Sequence, residues 1–226
     1  MKEKGKLLGP GDRFSFDCHK KLSCFGKCCR MRLELTPYDL LRLCRKLGIT
    51  SGRFLDSYCF IERVPSGGPP AVVLKPDSNG RCVFLRSYGC NVYPDRPGAC
   101  RNFPLSRAIS VEEGISRVYL QNLPDFCRGA VTSKSWSVEE WRAFSGLSEY
   151  ERWNDAFIRL VSRLERLKIP SSDLSPAWEL LYDFDRYLPD ACRIKGVSLP
   201  SDNDELMEIL CGLVEEFISE QEKKHP

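Results

Sequence analysis

The chain has 226 residues and twelve cysteines, and its 34 Lys and Arg against 31 Asp and Glu leave a formal net charge of +3. A chain of this length can bury a full hydrophobic core without covalent cross-links, and its cysteine content lies below that of small secreted disulfide scaffolds. Lys and Arg are spread along the chain, which argues against nucleic acid or a membrane as a partner.

The N-terminal segment Met1–Pro10 carries charge but no apolar run of the length that a secretory signal needs, and no later segment is long and apolar enough to span a membrane. We therefore expect a soluble, cytoplasmic protein. In a reducing cytosol, cysteines are more often metal ligands or redox thiols than structural disulfides. Because His19 and His225 are the only histidines, any metal site must be built mainly from sulfur.

Two helices are predicted after the first cysteine-rich loop. Thr36 is a favourable N-cap, Pro37 suits the first helical position, Asp39 completes a Thr-x-x-Asp capping box, and Gly48 is a typical stop. A second, short helix is predicted over Ser51–Tyr58, because its apolar residues share one helical face.

Short strands are predicted in the middle of the chain. The Pro- and Gly-rich segment Pro65–Pro70 ends the helical pattern, and Ala71–Leu74 is predicted to form a strand with Cys82–Leu85 as its partner. Arg107–Ser110 and Ile115–Leu120 are predicted to form a hairpin. Between these strands lies a long stretch without regular periodicity, and such a stretch inside a compact domain is usually functional or tied down.

The C-terminal part of the sequence has a helical pattern. Ser137 opens a second capping box, and further helices are predicted over Ser148–Leu167, Ser175–Leu188 and Asp202–Glu222. The pattern predicts an α+β fold, with small N-terminal strands and irregular cysteine-rich loops around a metal site, followed by a largely helical C-terminal half.

Two regions follow from this change of pattern. We place a cysteine-cluster metal-binding domain at residues 14–130 and a helical region at residues 137–224. We expect the helical region to pack on the first domain as one unit.

Most of the cysteines gather in two loops, Cys18–Cys29 and Cys82–Cys100, among polar residues, Gly and Pro. A thiolate is a strong ligand for soft metals, so this setting points to metal coordination or to disulfides. The first loop lacks the Cys-x-x-Cys pairs of an ordinary zinc finger. Consecutive side chains such as Cys28 and Cys29 point in different directions, which favours two neighbouring metal positions or a polynuclear site. A vicinal disulfide, or reactive thiols without metal, is the alternative.

Cys127 adds an eighth thiol and would allow two four-sulfur sites. Arg96 and Arg101 flank the last cysteine of the second loop, where they can donate hydrogen bonds to sulfur or brace the turns. The predicted metal ligands are Cys18, Cys24, Cys28, Cys29, Cys82, Cys90, Cys100 and Cys127. The other cysteines lie in or beside apolar and helical stretches and are predicted to pack in a core: Cys44, Cys59, Cys192 and Cys211.

Four segments resemble the YkgJ-like cysteine-cluster family of zinc- or iron-chelating domains: Phe16–His19, Cys24–Arg30, Leu35–Asp39 and Cys90–Pro104. The resemblance covers about Phe16 to Gly129. Many members space the first motif Cys-x-x-Cys-x-x-Cys-Cys, whereas the gaps here are longer. The resemblance implies metal chelation. The same family is similar to flagellin lysine N-methylases, which are linked to iron-sulfur chemistry and S-adenosylmethionine.

Several reaction classes lack their motifs. No Gly-x-Gly-x-x-Gly follows a strand, no Walker A loop is present, and the spacing usual in radical S-adenosylmethionine enzymes would need a cysteine at Met31. The scarcity of histidine also weakens hydrolytic catalysis.

Three functions remain. We prefer a metal-binding protein with a structural, storage or redox role, in which irregular loops suit an iron-sulfur cluster or iron better than zinc. The first alternative is a cluster-dependent protein-modifying enzyme resembling lysine N-methylases, with a pocket formed from Tyr38, Asp39, Arg96 and Arg101. The second is a thiol redox sensor using Cys28 and Cys29.

Overall fold

The computed structural model describes residues 5–62, 70–167, 169–170 and 173–224. The strands in these ranges are short and antiparallel: β1 (Lys6–Leu8), β2 (Arg13–Ser15), β3 (Cys59–Glu62), β4 (Ala71–Leu74), β5 (Leu85–Arg86), β6 (Gly89–Cys90), β7 (Leu105–Ser110), β8 (Ile115–Leu120) and β9 (Ser135–Ser137). The helices are α1 (Pro37–Leu47), α2 (Ser51–Tyr58), α3 (Gly98–Asn102), α4 (Val138–Ser145), α5 (Ser148–Arg166), α6 (Ser175–Tyr182), α7 (Phe184–Lys195) and α8 (Asn203–Lys224). A 3-10 turn covers Tyr93–Asp95. These elements confirm the predicted α+β class with a helical C-terminal half.

The described residues fall into two compact units, each made from two separate segments of the chain. The first unit comprises Met1–Met31 and Pro76–Glu151, and the second comprises Arg32–Lys75 and Arg152–Pro226. The predicted division into residues 14–130 and 137–224 follows chain order instead and stays a prediction. In the part of the chain that the structure describes, no helix has the length and apolarity needed to cross a membrane.

The first unit is built on a sheet with the strand order β1-β8-β7. The predicted hairpin is confirmed, because β7 and β8 pair from Leu105↔Leu120 to Ser110↔Ile115. A second ribbon joins β2 to β9, although these strands are more than a hundred residues apart in sequence. Each strand has few residues, so the side chains packed on its face must supply most of its stability.

Aromatic side chains form the core of the first unit. The rings of Phe14 and Phe16 meet the indole of Trp141 edge to face, with centroids 5.9 and 5.7 Å apart. The indole N–H of Trp136 donates to the carbonyl of Phe16 at 2.8 Å. These contacts fix the backbone immediately before the first cysteine, so the loop that follows begins from a rigid point.

The second unit contains the two predicted N-terminal helices. Thr36 and Asp39 form the predicted capping box of α1, and Gly48 ends the helix in the left-handed conformation at φ 65°. The helix α2 covers Ser51–Tyr58, as predicted.

The predicted partner of the Ala71–Leu74 strand was wrong. This strand, β4, pairs with β3 from Cys59↔Leu74 to Glu62↔Ala71, and not with Cys82–Leu85. The chain leaves α2 directly into β3, so a strand already lies beside the buried residues of β4. The predicted breaker at 65–70 lies outside the described residues except for Pro70.

The predicted helix Ser175–Leu188 is two helices, α6 and α7, separated at Asp183. The buried Ser51 is the reason: its N–H donates to the Asp185 carboxylate at 2.6 Å, and its hydroxyl donates to Asp183 at 3.3 Å. The backbone N–H of Asp185 donates in turn to the Ser51 hydroxyl. The two remaining long helices, α5 and α8, end within two residues of their predicted bounds.

Candidate metal centre

The two units divide the cysteines into two groups. All eight predicted ligands lie in the first unit, and the four predicted core cysteines lie in the second. Cys44, Cys59 and Cys192 are buried, as predicted, and Cys211 is half-buried. Every cysteine lies in the described part of the chain, and no disulfide joins any of them.

The first cysteine loop is a run of tight turns. The N–H of Lys27 donates to the carbonyl of Cys24 at 2.9 Å, and the N–H of Cys29 donates to that of Gly26 at 3.2 Å. Gly26 adopts φ 78°, a conformation that glycine reaches without steric cost. The turns place four thiols within twelve residues of chain while only Cys24 is buried.

The loop that carries Cys127 lies against the beginning of the first cysteine loop. The N–H of Asp17 donates to the carbonyl of Gly129 at 2.8 Å, and the N–H of Arg128 donates to the sulfur of Cys24 at 3.2 Å. A backbone N–H pointing at sulfur stabilises the thiolate that a metal needs. Cys127 therefore belongs to the same local structure as Cys24, although the two are far apart in sequence.

Cys82 and Cys90 are held together by the small ribbon of β5 and β6. The N–H of Cys82 donates to the carbonyl of Cys29 at 2.7 Å, and Cys90 pairs with Leu85 across the ribbon. Backbone N–H groups of Phe84 and Leu85 donate to the Cys82 sulfur, and that of Val92 donates to the Cys90 sulfur. These donors were not predicted, since a backbone N–H has no signature in the residue types.

Arg101 follows the last cysteine of the second loop and is only 8% exposed. Its guanidinium donates to the carbonyls of Arg96 at 3.0 Å, Ser145 at 2.8 Å and Pro94, and it lies 4.4 Å from the ring centroid of Tyr150. The sequence predicted that this side chain either donates hydrogen bonds to sulfur or braces the turns. These contacts support the second role. The side chain of Arg101 stabilises the irregular backbone on which the last thiol is placed.

Arg96 lies near the thiols of Cys90 and Cys100. Burial lowers the pKa of its guanidinium, while negative charge on Tyr93, Cys100 and Cys90 acts in the opposite direction. The guanidinium lies 4.1 Å from the centroid of the Tyr93 ring and donates to its carbonyl at 2.9 Å. A half-buried cation at this place offsets the charge of nearby thiolates.

The thiols influence one another electrostatically. Burial, together with smaller effects of charge on Cys28, Cys24 and Cys127, raises the pKa of Cys18 to about 11. A hydrogen bond from the Cys29 thiol lowers the pKa of Cys28 to about 6, and the same bond raises the pKa of Cys29. Clustered thiols repel one another when they are ionised, and a bound cation relieves that repulsion.

The thiols lie near one another, but they are not arranged as the complete set of ligands around one metal ion. In the described part of the chain, no three His, Cys, Asp or Glu side chains are arranged so that they could already hold a metal ion. Side-chain rotation would therefore have to accompany metal binding. The donor set still fits a soft metal, because it consists of thiols supported by N–H donors and Arg side chains.

The other predicted site residues have structural roles. Tyr38 and Asp39 belong to the second unit, where both are buried and the Asp39 carboxylate accepts from the N–H and the hydroxyl of Thr36 at 2.9 Å. His19 is exposed, and its Nδ1 accepts from the N–H of Lys21. His225 lies outside the described residues.

The fold and the thiols of the first unit define a cysteine-rich metal-binding domain. Residues 17–128 match the family model described as "CxxCxxCC: Putative zinc- or iron-chelating domain", so this part of the chain is similar to that family. The match supports metal binding in general as the function of the domain. No curated protein gave a significant match, and neither did any solved structure. The similarity to YkgJ-like proteins and lysine N-methylases stays a prediction.

Proposed function

We propose that the first unit binds its metal through cysteine thiolates and serves a structural, storage or redox role. One observation carries the proposal: all eight predicted ligands lie in one compact unit, and the four cysteines predicted to be core residues lie in the other. Thiols that only filled space would have no reason to be sorted in this way. Burial raises the pKa of the Cys82 and Cys90 thiols, and the backbone N–H groups that donate to these sulfurs act in the opposite direction.

An iron-sulfur cluster or iron is our preferred occupant, and zinc is the alternative. Loops of irregular spacing accommodate a cluster more readily than the paired knuckles of zinc modules do. Hydrogen bonds to sulfur and nearby cations also tune cluster potentials. We further propose a cytoplasmic location, where thiols remain reduced and available as ligands.

A thiol redox sensor is the second candidate, because the side chains of Cys28 and Cys29 are hydrogen-bonded to each other. A sensor would show a number of free thiols that changes with oxidant. The protein-modifying enzyme is less well supported, since Asp39 is engaged as a helix cap.

The test is to purify the protein anaerobically without added metal and to measure iron, zinc and acid-labile sulfide per chain, with an absorption spectrum of the same sample. Iron with sulfide and broad absorption near ~400 nm identifies an iron-sulfur protein. Zinc without colour identifies the alternative occupant. Protein that holds no metal, even after reconstitution with iron and sulfide or with zinc, contradicts the proposal.

Variants locate the ligands in the same experiment. Cys28→Ser and Cys100→Ser are expected to lower the metal content and to destabilise the first unit, because the metal contributes to the free energy of folding. Cys211→Ser is the matched control, since this half-buried thiol lies in the second unit, and it should keep the wild-type metal content. Equal metal content in all three variants would show that the ligands are wrongly assigned.

A further inference from the structure

We propose that the exposed surface around the predicted ligands is a docking surface for an acidic protein. This inference rests on the proposed metal-binding function, because it names a partner for the same site. We call this surface the basic face and define it by four exposed side chains: Lys20, Lys27, Arg86 and Arg128. All four belong to the first unit, and each lies within four residues of a predicted ligand.

The segments that carry the predicted ligands are more positive than the chain as a whole. Residues 17–31, 76–101 and 124–128 together hold nine Lys and Arg against four Asp and Glu, whereas the whole chain holds 34 against 31. Two of the four carboxylates already have cationic partners outside the basic face: Asp77 pairs with Arg81 at 3.3 Å, and Asp17 pairs with Lys134 at 3.6 Å. These carboxylates therefore do not offset the charge of the basic face.

The cations of the basic face have no acidic partner in the described part of the chain. Arg86 donates to uncharged groups, the carbonyls of Val83 and Leu85, at 2.7 and 3.1 Å. Within the residues that the structure describes, no ion pair involves the other three side chains. An exposed cation without an ion pair is available to a carboxylate on another molecule.

Close contacts between the loops bring these cations into one local structure. A Cβ atom at Gly89, in the ribbon of β5 and β6, would lie 3.7 Å from the Cε atom of Lys20. A Cβ atom at Gly26 would lie 3.3 Å from the side chain of Leu85, the residue before Arg86. The first cysteine loop therefore lies directly against the ribbon, and the cations of both are neighbours.

The fourth cation comes from a separate segment of the chain. The backbone N–H of Arg128 donates to the sulfur of Cys24 at 3.2 Å, and Cys24 lies between Lys20 and Lys27 in the first loop. Like charges that are held close together repel one another, and carboxylates of a partner would relieve this repulsion.

Apolar side chains are exposed among the cations. Met31 and Tyr88 are each more than half exposed, and Phe126, which precedes Cys127, is also exposed. Aromatic residues, Met and Arg are enriched in protein interfaces. The cations lie on turns and on a ribbon of two-residue strands, not on a helix or a long β-ribbon that would fit a nucleic-acid groove. Both features favour a protein as the acidic partner.

The test is a binding titration of the full chain, purified anaerobically, with a fluorescein-labelled peptide that alternates Glu with Tyr and Leu. Fluorescence anisotropy measures the affinity. We expect binding that weakens as ionic strength rises, because salt screens exposed charges. The triple variant Lys20→Glu, Lys27→Glu and Arg128→Glu should bind the peptide about tenfold more weakly or worse. Arg86 stays unchanged in this variant because its hydrogen bonds hold the ribbon.

The matched control is the triple variant Lys46→Glu, Arg53→Glu and Arg193→Glu. It changes the net charge by the same amount at exposed residues of the second unit, and it should bind the peptide as the wild type does. An equal loss of affinity in both triple variants would overturn the proposal, because total charge alone would then explain binding. Tighter binding of a mixed-sequence RNA strand than of the peptide would overturn it as well.

Metal analysis of the same samples separates this proposal from the proposed function. The triple variant of the basic face should keep the wild-type metal content. Loss of metal together with peptide binding would overturn the docking surface, because the cations would then serve the thiolates. A wild-type chain that takes up no metal would instead overturn the proposed function, whatever its affinity for the peptide.

The unaltered chain provides a second measurement in case a variant does not fold. A carbodiimide couples carboxylates of the bound peptide to lysine amines that they contact, and mass spectrometry maps the coupled lysines. Coupling at Lys20 and Lys27 is the expected result. Coupling spread over exposed lysines along the whole chain would overturn the proposal.

Discussion

At the scale of single residues, the function of a side chain followed from its neighbours rather than from its type. Arg96 and Arg101 are both arginines beside a cysteine, yet Arg101 donates to carbonyls and Arg96 lies where its charge reaches two thiols. A buried guanidinium that satisfies several carbonyls contributes strongly to stability, because its removal leaves those acceptors unpaired. Arg101 is thus a positioning residue for the second cysteine loop.

We predict that Arg101→Lys lowers the free energy of unfolding by at least about 2 kcal/mol, because an ammonium group cannot reach all of these carbonyls. The metal content of the variant should also fall, because the loop that carries Cys100 loses the hydrogen bonds from Arg101 that brace it. Urea unfolding and metal analysis measure the two effects.

The control for this change is Arg193→Lys. Arg193 is highly exposed, and its ion pair with Asp190 lies on the surface of α7. Such a change should alter stability by less than about 0.5 kcal/mol. An effect of Arg101→Lys no larger than that of the control would contradict the assignment of Arg101 as a brace.

At the scale of elements, the loops of the first unit are ordered by close backbone contacts. Gly129 shows this most clearly, because a Cβ atom there would lie 2.8 Å from the ring of Phe16 and 3.3 Å from the carbonyl of Asp17. Only glycine lets the loop around Cys127 approach the segment before Cys18 closely enough for their hydrogen bond. The contact between the two loops thus depends on having no side chain at Gly129.

We predict that Gly129→Ala destabilises the protein by about 1–3 kcal/mol, because the added methyl group must displace a buried aromatic ring. Gly212→Ala is the matched control: Gly212 lies inside α8, and a Cβ atom would meet nothing within 4 Å. This change should stabilise the helix by about 0.5–1 kcal/mol. Thermal unfolding measures the change in stability of each variant. A change of the same sign in both variants would contradict the account of Gly129.

At the scale of the whole molecule, the sorting of thiols between two units predicts a local response to metal. The first unit contains the predicted ligands in irregular loops, whereas the second is rich in helices and carries the four cysteines predicted to pack in a core. Metal binding should therefore order the first unit selectively.

We expect chelation of the metal to increase amide hydrogen exchange in the loops that hold the ligands, since binding free energy adds to folding free energy there. The helices of the second unit should exchange at nearly unchanged rates. Hydrogen-exchange mass spectrometry before and after chelation measures both. Uniform acceleration along the chain would contradict this prediction.

Local features were determined by the sequence alone. The capped helix at Pro37–Leu47, the helix at Ser51–Tyr58 and the hairpin of β7 and β8 all appear as predicted. Capping boxes, proline at the first turn and short connections act over a few residues, so their signals are contained in neighbouring positions. The thiol-rich loops indicated metal chemistry for the same reason, and the family match agrees.

Only the tertiary structure decided the features that depend on residues distant in sequence. The partner of Ala71–Leu74, the break of the helical pattern at Asp183 and the carbonyl contacts of Arg101 each arise from hydrogen bonds between separate segments. The division of the cysteines between the units is of the same kind. Residue types indicate which groups can bind a metal or cap a helix, but backbone donors and chain packing determine which of them meet.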